Sequence, residues 1–359
     1  MENKGLLLAG GVVAVVAIGL LVFETLSSSN AFDSAVSVGA NKNADSSKVT
    51  SSHDTHEVKV NTVNHNEISP IPQELEIDRD LAKIGWFLFR DPNLSSNKNV
   101  SCESCHSLQT NGAENTMVSI GVRGKGFRNS LTVFNTAFNY RFFWDGRVNN
   151  LHDQLDGPIH SVVEMDSNWQ RVEEYVARSQ NYNSLFSKAN LDITTDNIKS
   201  SLVEFMKGLT TPNSPFDRYL LGDEQALTAE QVKGWESFQS EGCVRCHRGT
   251  NVGGGMVIRF GFFGDGTMGK ERSNDTGRHL NTSKQEDMYL FRVASLRNVA
   301  VTAPYFHDGR TEKLEDAIKI MAESQLGRTF DQQTISDIKA FLTSLTGPRP
   351  VILEEFENE

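Results

Sequence analysis

The chain has 359 residues, 38% of them hydrophobic and 23% charged, with a formal net charge of −11. That length suits about two domains, and the composition is that of an ordinary globular protein. The acidic balance excludes a nucleic-acid binder that relies on a basic face.

Behind Lys4, the stretch from Gly5 to Phe23 carries no charged or strongly polar group. Its length approaches the roughly 20 residues of a membrane-spanning helix and exceeds the about 7–15 of a signal-peptide core. Ser27-x-Ser29 and Ser29-x-Ala31 are poor cleavage sites. Residues 1–26 are therefore expected to form an uncleaved anchor with the short N-terminus inside, a cleaved signal being the alternative. Residues 27–69 are rich in Ser, Asn, Asp, Thr and Val. They lack the large apolar groups that offset ordering entropy, and read as a flexible linker. His53, His56 and His65, scattered in it, read as inert. Order is expected from Pro70, where Leu75, Leu81, Ile84 and Leu88 recur at helical spacing up to Asp91-Pro92.

Cys102-Glu103-Ser104-Cys105-His106 follows, and Cys243-Val244-Arg245-Cys246-His247 repeats it. Two cysteines three apart with a histidine directly after are the attachment signature of a c-type haem. Two thiols on one turn reach the two vinyl groups of a porphyrin, and the adjacent imidazole reaches the iron. The two motifs use all four cysteines, which leaves none for a disulfide. A zinc knuckle would place the pairs roughly 15–20 residues apart and gives no reason for either histidine. Because bacterial c-type haem attachment takes place outside the inner membrane, the bulk of the chain is expected in the periplasm.

From Ser107 to Phe142 the Gly- and Asn-rich chain reads as a loop over the haem. Ile198, Leu202, Phe205 and Leu209 form one helical stripe, capped by Thr194 or Thr195 and ended by Thr211-Pro212. Thr228-x-x-Gln231 opens a helix carrying Val232, Trp235 and Phe238 into the second motif. The last strong helix carries Ile335, Ile338, Phe341, Leu342 and Leu345 and stops at Gly347-Pro348. Gly253-Gly254-Gly255 lacks the context of a phosphate loop and reads as backbone packed close to a haem face.

An internal duplication links the halves. Phe143-Trp-Asp-Gly-Arg147 with Leu151 matches Phe306-His-Asp-Gly-Arg310 with Leu314. Phe205-x3-Leu209-Thr-x-Pro212 matches Phe341-x3-Leu345-Thr-x-Pro348, and Arg128-Asn129 is read as the echo of Arg297-Asn298. The expected fold is mainly α: two tandem cytochrome c-like domains, residues 70–221 and 222–350, each holding one covalent c-type haem, after an N-terminal membrane-spanning segment.

The repeat bears on the sixth iron ligand. Met321 lies seven residues after Leu314, on the face of Ala317 and Ile318, with Met256, Met268 and Met288 as rivals. Methionine opposite histidine raises a haem's potential and suits electron transfer. The matching place in the first half is Pro158, which cannot ligate iron, so that haem is expected to be open. Gln154 and Glu164 follow closely, and a carboxylate over an open haem can move a proton as peroxide is cleaved.

With these residues the chain resembles the bacterial di-haem cytochrome c peroxidases over about Pro70 to Pro350. The resemblance is carried by both haem motifs, Arg128-Asn129, Phe143-Trp144-Asp145-Gly146-Arg147, Gln154, Gly157-Pro158, Glu164-Met165, Leu296-Arg297-Asn298, Tyr305-Phe306-His307 and Met321. It implies hydrogen peroxide as substrate, a peroxidatic N-terminal haem, and a high-potential C-terminal haem ligated by His247 and Met321 where electrons enter. It implies Trp144 between the haems and Gln154 with Glu164 as the distal catalytic pair. It further implies a calcium ion held by the Asn129 side chain and the carbonyls of Thr302 and Pro304, and a homodimer. The electron donor is left open among a small cytochrome c, a cupredoxin and a quinol pathway. Family members typically carry a gating histidine just after a Ser-Ile-Gly. Here Ser119-Ile120-Gly121 is followed by Val122, with Met117 the substitute candidate. A non-catalytic di-haem electron carrier is the alternative function. A protein-oxidising relative is disfavoured, since that group has tyrosine at the place of Met321.

Overall fold

Helix α1, Arg79–Arg90, begins where Asp78 accepts a hydrogen bond from the Leu81 N–H at 3.0 Å. The expected helix reached back to Leu75, but the cap excludes it. The α1 stripe of Ala82, Ile84, Leu88 and Phe89 is buried. The computed structural model describes residues 67–264 and 274–359. The anchor and almost all of the linker lie outside the described residues, as do Met268 and the three linker histidines. Among the described residues no helix is long and apolar enough to cross a membrane.

After α1 comes a long irregular stretch broken by the small hairpin β1, Ile120–Gly121, and β2, Gly124–Lys125. Helices α2, Leu151–Gln154, and α3, Asp156–His160, precede α4, Trp169–Arg178, and α5, Gln180–Lys188. The first half closes with α6, Thr195–Gly208, capped by Thr194, and α7, Pro215–Leu220. The second half opens with α8, Ala229–Ser240, whose Thr228/Gln231 capping box forms as the spacing predicts. Strands β3, Val257–Arg259, and β4, Leu290–Arg292, pair antiparallel around α9, His279–Thr282. Then come α10, Leu314–Met321, α11, Gln332–Ser344, and α12, Val351–Asn358.

Each half is centred on one helix crossing. A Cβ at Gly85 of α1 would sit 2.7 Å from the Phe205 Cβ and clash with the Ser201 carbonyl of α6. A Cβ at Gly234 of α8 would sit 2.9 Å from the Phe341 Cβ and clash with the Asp337 carbonyl of α11. Glycine at each crossing lets backbone meet backbone. Two buried apolar clusters follow from this. One contains Phe89, Phe186 and Phe205, and the other contains Phe216, Trp235 and Phe341. The clusters exchange chain segments: Ile352, Leu353 and Phe356 of α12 join the first, while Ile68 and Phe216 join the second.

The duplication extends to backbone detail. Phe143 and Phe306 have φ of 62° and 68°, and the bridges Phe142↔Val148 and Tyr305↔Thr311 frame the two Asp-Gly-Arg turns. The expected echo of Arg128-Asn129 by Arg297-Asn298 is out of register. Asn298 follows Asn135 at the same interval as Phe306 follows Phe143. Asn135 and Asn298 have φ of 62° and 64°, and their N–H groups donate to the Leu209 and Leu345 carbonyls at 2.8 and 3.2 Å. Asparagine tolerates this left-handed backbone better than most residues. The repeated requirement is therefore the asparagine's conformation, not the Arg-Asn pair of letters.

Candidate haem sites and the junction between them

Both haem motifs wind into a single 3-10 turn, Cys102–Ser104 and Cys243–Arg245. In each, the second cysteine's N–H reaches the first cysteine's carbonyl at 3.2 Å, and the histidine N–H reaches it at 3.0 Å. The first turn is also closed by Ser101 and Ser104, with the Ser101 N–H donating to Ser104 Oγ at 3.0 Å. Both thiols and the imidazole thus leave from one short turn. Phe89 of α1 stands 6.4 Å from the His106 ring, and Phe238 of α8 stands 6.4 Å from that of His247.

The donor set fits a covalent haem. Nδ1 of His106 and of His247 is buried without a hydrogen bond of ordinary geometry. Nearby carbonyls still oppose the loss of each ring's proton, those of Gly112 and Leu131 for His106 and those of Ala294 and Val252 for His247. Burial outweighs them, lowering the pKa of His106 and taking that of His247 from 6.5 to about 4. Both imidazoles are neutral at pH 7, the form that ligates metal. Desolvation pushes the Cys102 and Cys243 thiols up to about 12 and Cys105 to about 11, so they are thiols and not thiolates. All four cysteines are free of disulfides. Among the described residues no three His, Cys, Asp or Glu side chains gather as a metal-ion site.

A cavity of about 220 Å³ adjoins the second motif, with Cys243, Cys246, His247 and Met321 on its wall. Met321 closes α10, whose Leu314, Ala317 and Ile318 are buried. Met256 and Met288 are not on that wall. Gly253 lies against the same histidine: a Cβ there would approach the Ala294 carbonyl oxygen at 2.6 Å and His247 Nδ1 at 3.5 Å.

Near the first motif, the segment after α3 folds back on itself. The Glu164 N–H donates to the Ser161 carbonyl at 3.0 Å and the Met165 N–H to the Pro158 carbonyl at 3.1 Å. Asp156 of α3 is fixed by the Trp169 indole at 2.6 Å and by Lys199 at 2.8 Å. Val122 stands where the resemblance would put a histidine, and its N–H donates to the Glu164 carbonyl at 2.8 Å. The Glu164 residue is exposed by surface area, yet its carboxyl is crowded by protein. Desolvation raises its pKa above 4.5, against the Ser161 hydrogen bond and the Arg147 charge. The same carboxylate raises both Cys102 and Cys105, which places Glu164 within electrostatic reach of the first haem turn. Gln154 ends α2 one turn before Pro158, half-buried. Met117 is 51% exposed, and its carbonyl accepts from Asn129 Nδ2.

Trp144 belongs to the first half by sequence and lines the cavity of the second. Its indole N–H donates to the Asn129 carbonyl at 2.8 Å, and its ring meets that of His307 at 6.3 Å. Asn129, Thr302 and Pro304 reach the same cavity wall. Asn129 donates through Nδ2 to the Thr116 carbonyl at 3.0 Å, which leaves Oδ1 for another partner.

Sequence reasoning overlooked three groups here. Arg147 acts on Glu164 and also holds the fully buried Asp145 at 2.7 Å. Arg128 joins Asp145 at 2.6 Å to Asp275 at 2.7 Å across the halves. Glu114, bonded to Ser130 Oγ at 3.1 Å, acts on Cys105 and His106. Their arginines were visible as motif letters, but ion pairs between distant segments leave no local periodicity.

Two attachment turns on two similar helix crossings define a di-haem c-type cytochrome. Residues 79–225 match the model of the family described as di-haem cytochrome c peroxidase. The chain is 42% identical over 292 residues to the cytochrome c551 peroxidase of Pseudomonas aeruginosa, covering 78% of this chain and 84% of that one. It is 40% identical over 283 residues to the cytochrome c peroxidase Ccp of Escherichia coli, covering 78% of this chain and 61% of that one. Among solved structures, a MauG-like protein associated with microbial copper homeostasis superposes with a TM-score of 0.68 at 25% identity, covering 78% of this chain and 93% of that one. The chain belongs to the di-haem cytochrome c peroxidase family. It is a peroxidase that carries two c-type haems and reduces hydrogen peroxide.

Proposed function

We propose that electrons enter at the haem held by Cys243, Cys246, His247 and Met321, and that peroxide is reduced at the haem held by Cys102, Cys105 and His106. The observation that carries this reading is an asymmetry at matched positions. Met321 shares a cavity wall with His247, while the first half has Pro158 at the equivalent place. When bound, the two haems supply one-electron chemistry at iron. Around the first, Glu164 takes a proton from one peroxide oxygen and returns it to the other, a role suited to a carboxyl with a raised pKa. Gln154 orients peroxide beside it, and Trp144 stands on the route between the halves. Asn129 Oδ1 with the carbonyls of Thr302 and Pro304 would hold calcium, an ion that prefers oxygen ligands. The halves divide as 70–221 and 222–350. The N-terminal 26 residues anchor the protein to the inner membrane, with residues 27–69 as tether and the catalytic part in the periplasm. A small cytochrome c, a cupredoxin or a quinol pathway supplies electrons, and the assembly is a homodimer.

The deciding measurement is a redox titration of Met321→Ala. The variant is expected to keep both haems while the higher of the two potentials drops and turnover slows, because methionine ligation favours the ferrous state. An unchanged higher potential would assign the sixth ligand elsewhere.

A further inference from the structure

Arg292 is a buried cation without an anion. It is 5% exposed, ends β4, and lies on the wall of the cavity that holds His247 and Met321. Its N–H donates to the Trp144 carbonyl at 2.6 Å, and Nε donates to the Phe143 carbonyl at 3.2 Å. Nη1 reaches Ser295 Oγ at a long 3.5 Å. Nη2 makes no hydrogen bond, and no carboxylate pairs with the guanidinium, among the described residues. Its neighbours in the fold show what is missing. Arg297, buried as deeply, is held by Asp217 at 2.7 Å, and Arg128 grips both Asp145 and Asp275. Burial alone acts on Arg292, lowering its pKa to about 10, still charged at pH 7. An ionised group in such a place is strongly unfavourable unless an opposite charge joins it. The fork of a guanidinium suits a carboxylate in particular.

We infer that Arg292 is the seat of a carboxylate of the second haem, pairing with a propionate of the porphyrin. The inference rests on placing that haem at Cys243, Cys246 and His247. The pair would serve two ends. A fixed positive charge beside the haem favours its reduced form, and so supports a high potential there. Because Arg292 also holds the carbonyls of Phe143 and Trp144, it ties the haem edge to the first half at the residue between the two sites. Arg292 is thus a positioning residue that acts through the haem and does not touch peroxide.

The test compares Arg292→Gln and Arg292→Lys in the full-length holoenzyme by spectroelectrochemical titration and resonance Raman spectroscopy. The glutamine variant is expected to shift the second haem's reduction equilibrium at least tenfold toward the oxidised form, about 59 mV for one electron. Its propionate bending band should move, and the first haem's midpoint should move less. Lysine keeps the charge and is expected to restore most of the potential while still shifting the propionate band. A glutamine variant with wild-type midpoint and band would overturn the inference, as would a lysine variant as low in potential as glutamine. Should the glutamine variant fail to fold, the propionate band of the lysine variant decides alone: an unmoved band rejects the pairing. Mass mapping of the haem-bearing peptides separates the two layers. Haem missing from the peptide with Cys243 and Cys246 refutes the placement of the cofactor, whereas haem present there with unmoved potential and band refutes only Arg292.

Discussion

The turn at Cys102 and the turn at Cys243 share their hydrogen bonds to 0.1 Å and stand at the same distance from an entry-helix phenylalanine. Their surroundings diverge. In the first turn Glu164 acts on both thiols and Glu114 on Cys105 and His106. In the second Glu241 acts on Cys243 and two arginines, Arg245 and Arg248, on Cys246, while burial and backbone carbonyls alone act on His247. At matched places the first half has Pro158 and the second Met321, and the first has Phe134 where the second has the buried Arg297. The shared features sit at helix crossings and in the turns, whereas the differing ones sit on connecting segments, in the short helix α3 and at the end of α10. A duplicated scaffold can therefore host two chemistries, because changing a connection leaves the crossing intact.

The largest expected effect breaks the first half alone. Glu164→Ala should cut peroxide turnover by about 10²–10⁴, the usual loss for an acid–base group, with haem spectra nearly unchanged. The raised pKa adds a pH signature. Glu164 accepts a proton only when ionised, so wild-type turnover should rise with pH through a limb above the ordinary 4.5. Glu164→Gln should abolish that limb, and turnover near wild type in either variant would remove Glu164 from the mechanism.

Next in size is a change at an ion pair that joins α7 of the first half to the second half. Asp217→Asn leaves Arg297 buried without its counter-ion, both groups being almost fully enclosed. Breaking such a pair costs about 3–5 kcal/mol. Calorimetry should show a lowered melting temperature, and a loss under 1 kcal/mol would mean that water replaces the carboxylate.

A smaller loss should appear symmetrically. Gly85→Ala and Gly234→Ala each force a methyl group against a facing carbonyl. Overpacking of this kind costs about 1–3 kcal/mol. Equal destabilisation in denaturant melts would confirm that the crossings are equivalent, whereas a tolerated alanine at one site would show that its crossing can open.

The last prediction alters no stability and sharpens the contrast between the irons. Neither Val122 nor Pro158 offers a side-chain lone pair, so the oxidised protein should show a high-spin ferric signal from the first haem. It should also bind cyanide without prior reduction. A wholly low-spin spectrum, with activity appearing only after half-reduction, would point to a substitute ligand such as Met117.

Much of the scaffold was legible because its causes are local. A capping box at Thr228 and Gln231, a stripe of Ile198, Leu202 and Phe205, and a Cys-x-x-Cys-His turn each act within a few residues. The repeat was legible for the same reason at Phe143 and Phe306, and it misled at Arg128-Asn129, where letters agreed but backbone conformation did not. Helices α4 and α5 went unread, although Trp169, Val172 and Val176 recur at helical spacing in α4. Helix α12 lies beyond the expected end at Gly347-Pro348, and its place in the first core depends on a chain crossing between halves. Only the tertiary structure could set Glu164 near Cys102 and Cys105, put Trp144 on the wall of the other half's cavity, or leave Arg292 without a carboxylate. Attachment chemistry and helix periods are written in neighbouring residues. Charge balance and burial are sums over the whole folded neighbourhood, so the sequence determined where the haems attach and the fold decided what surrounds them.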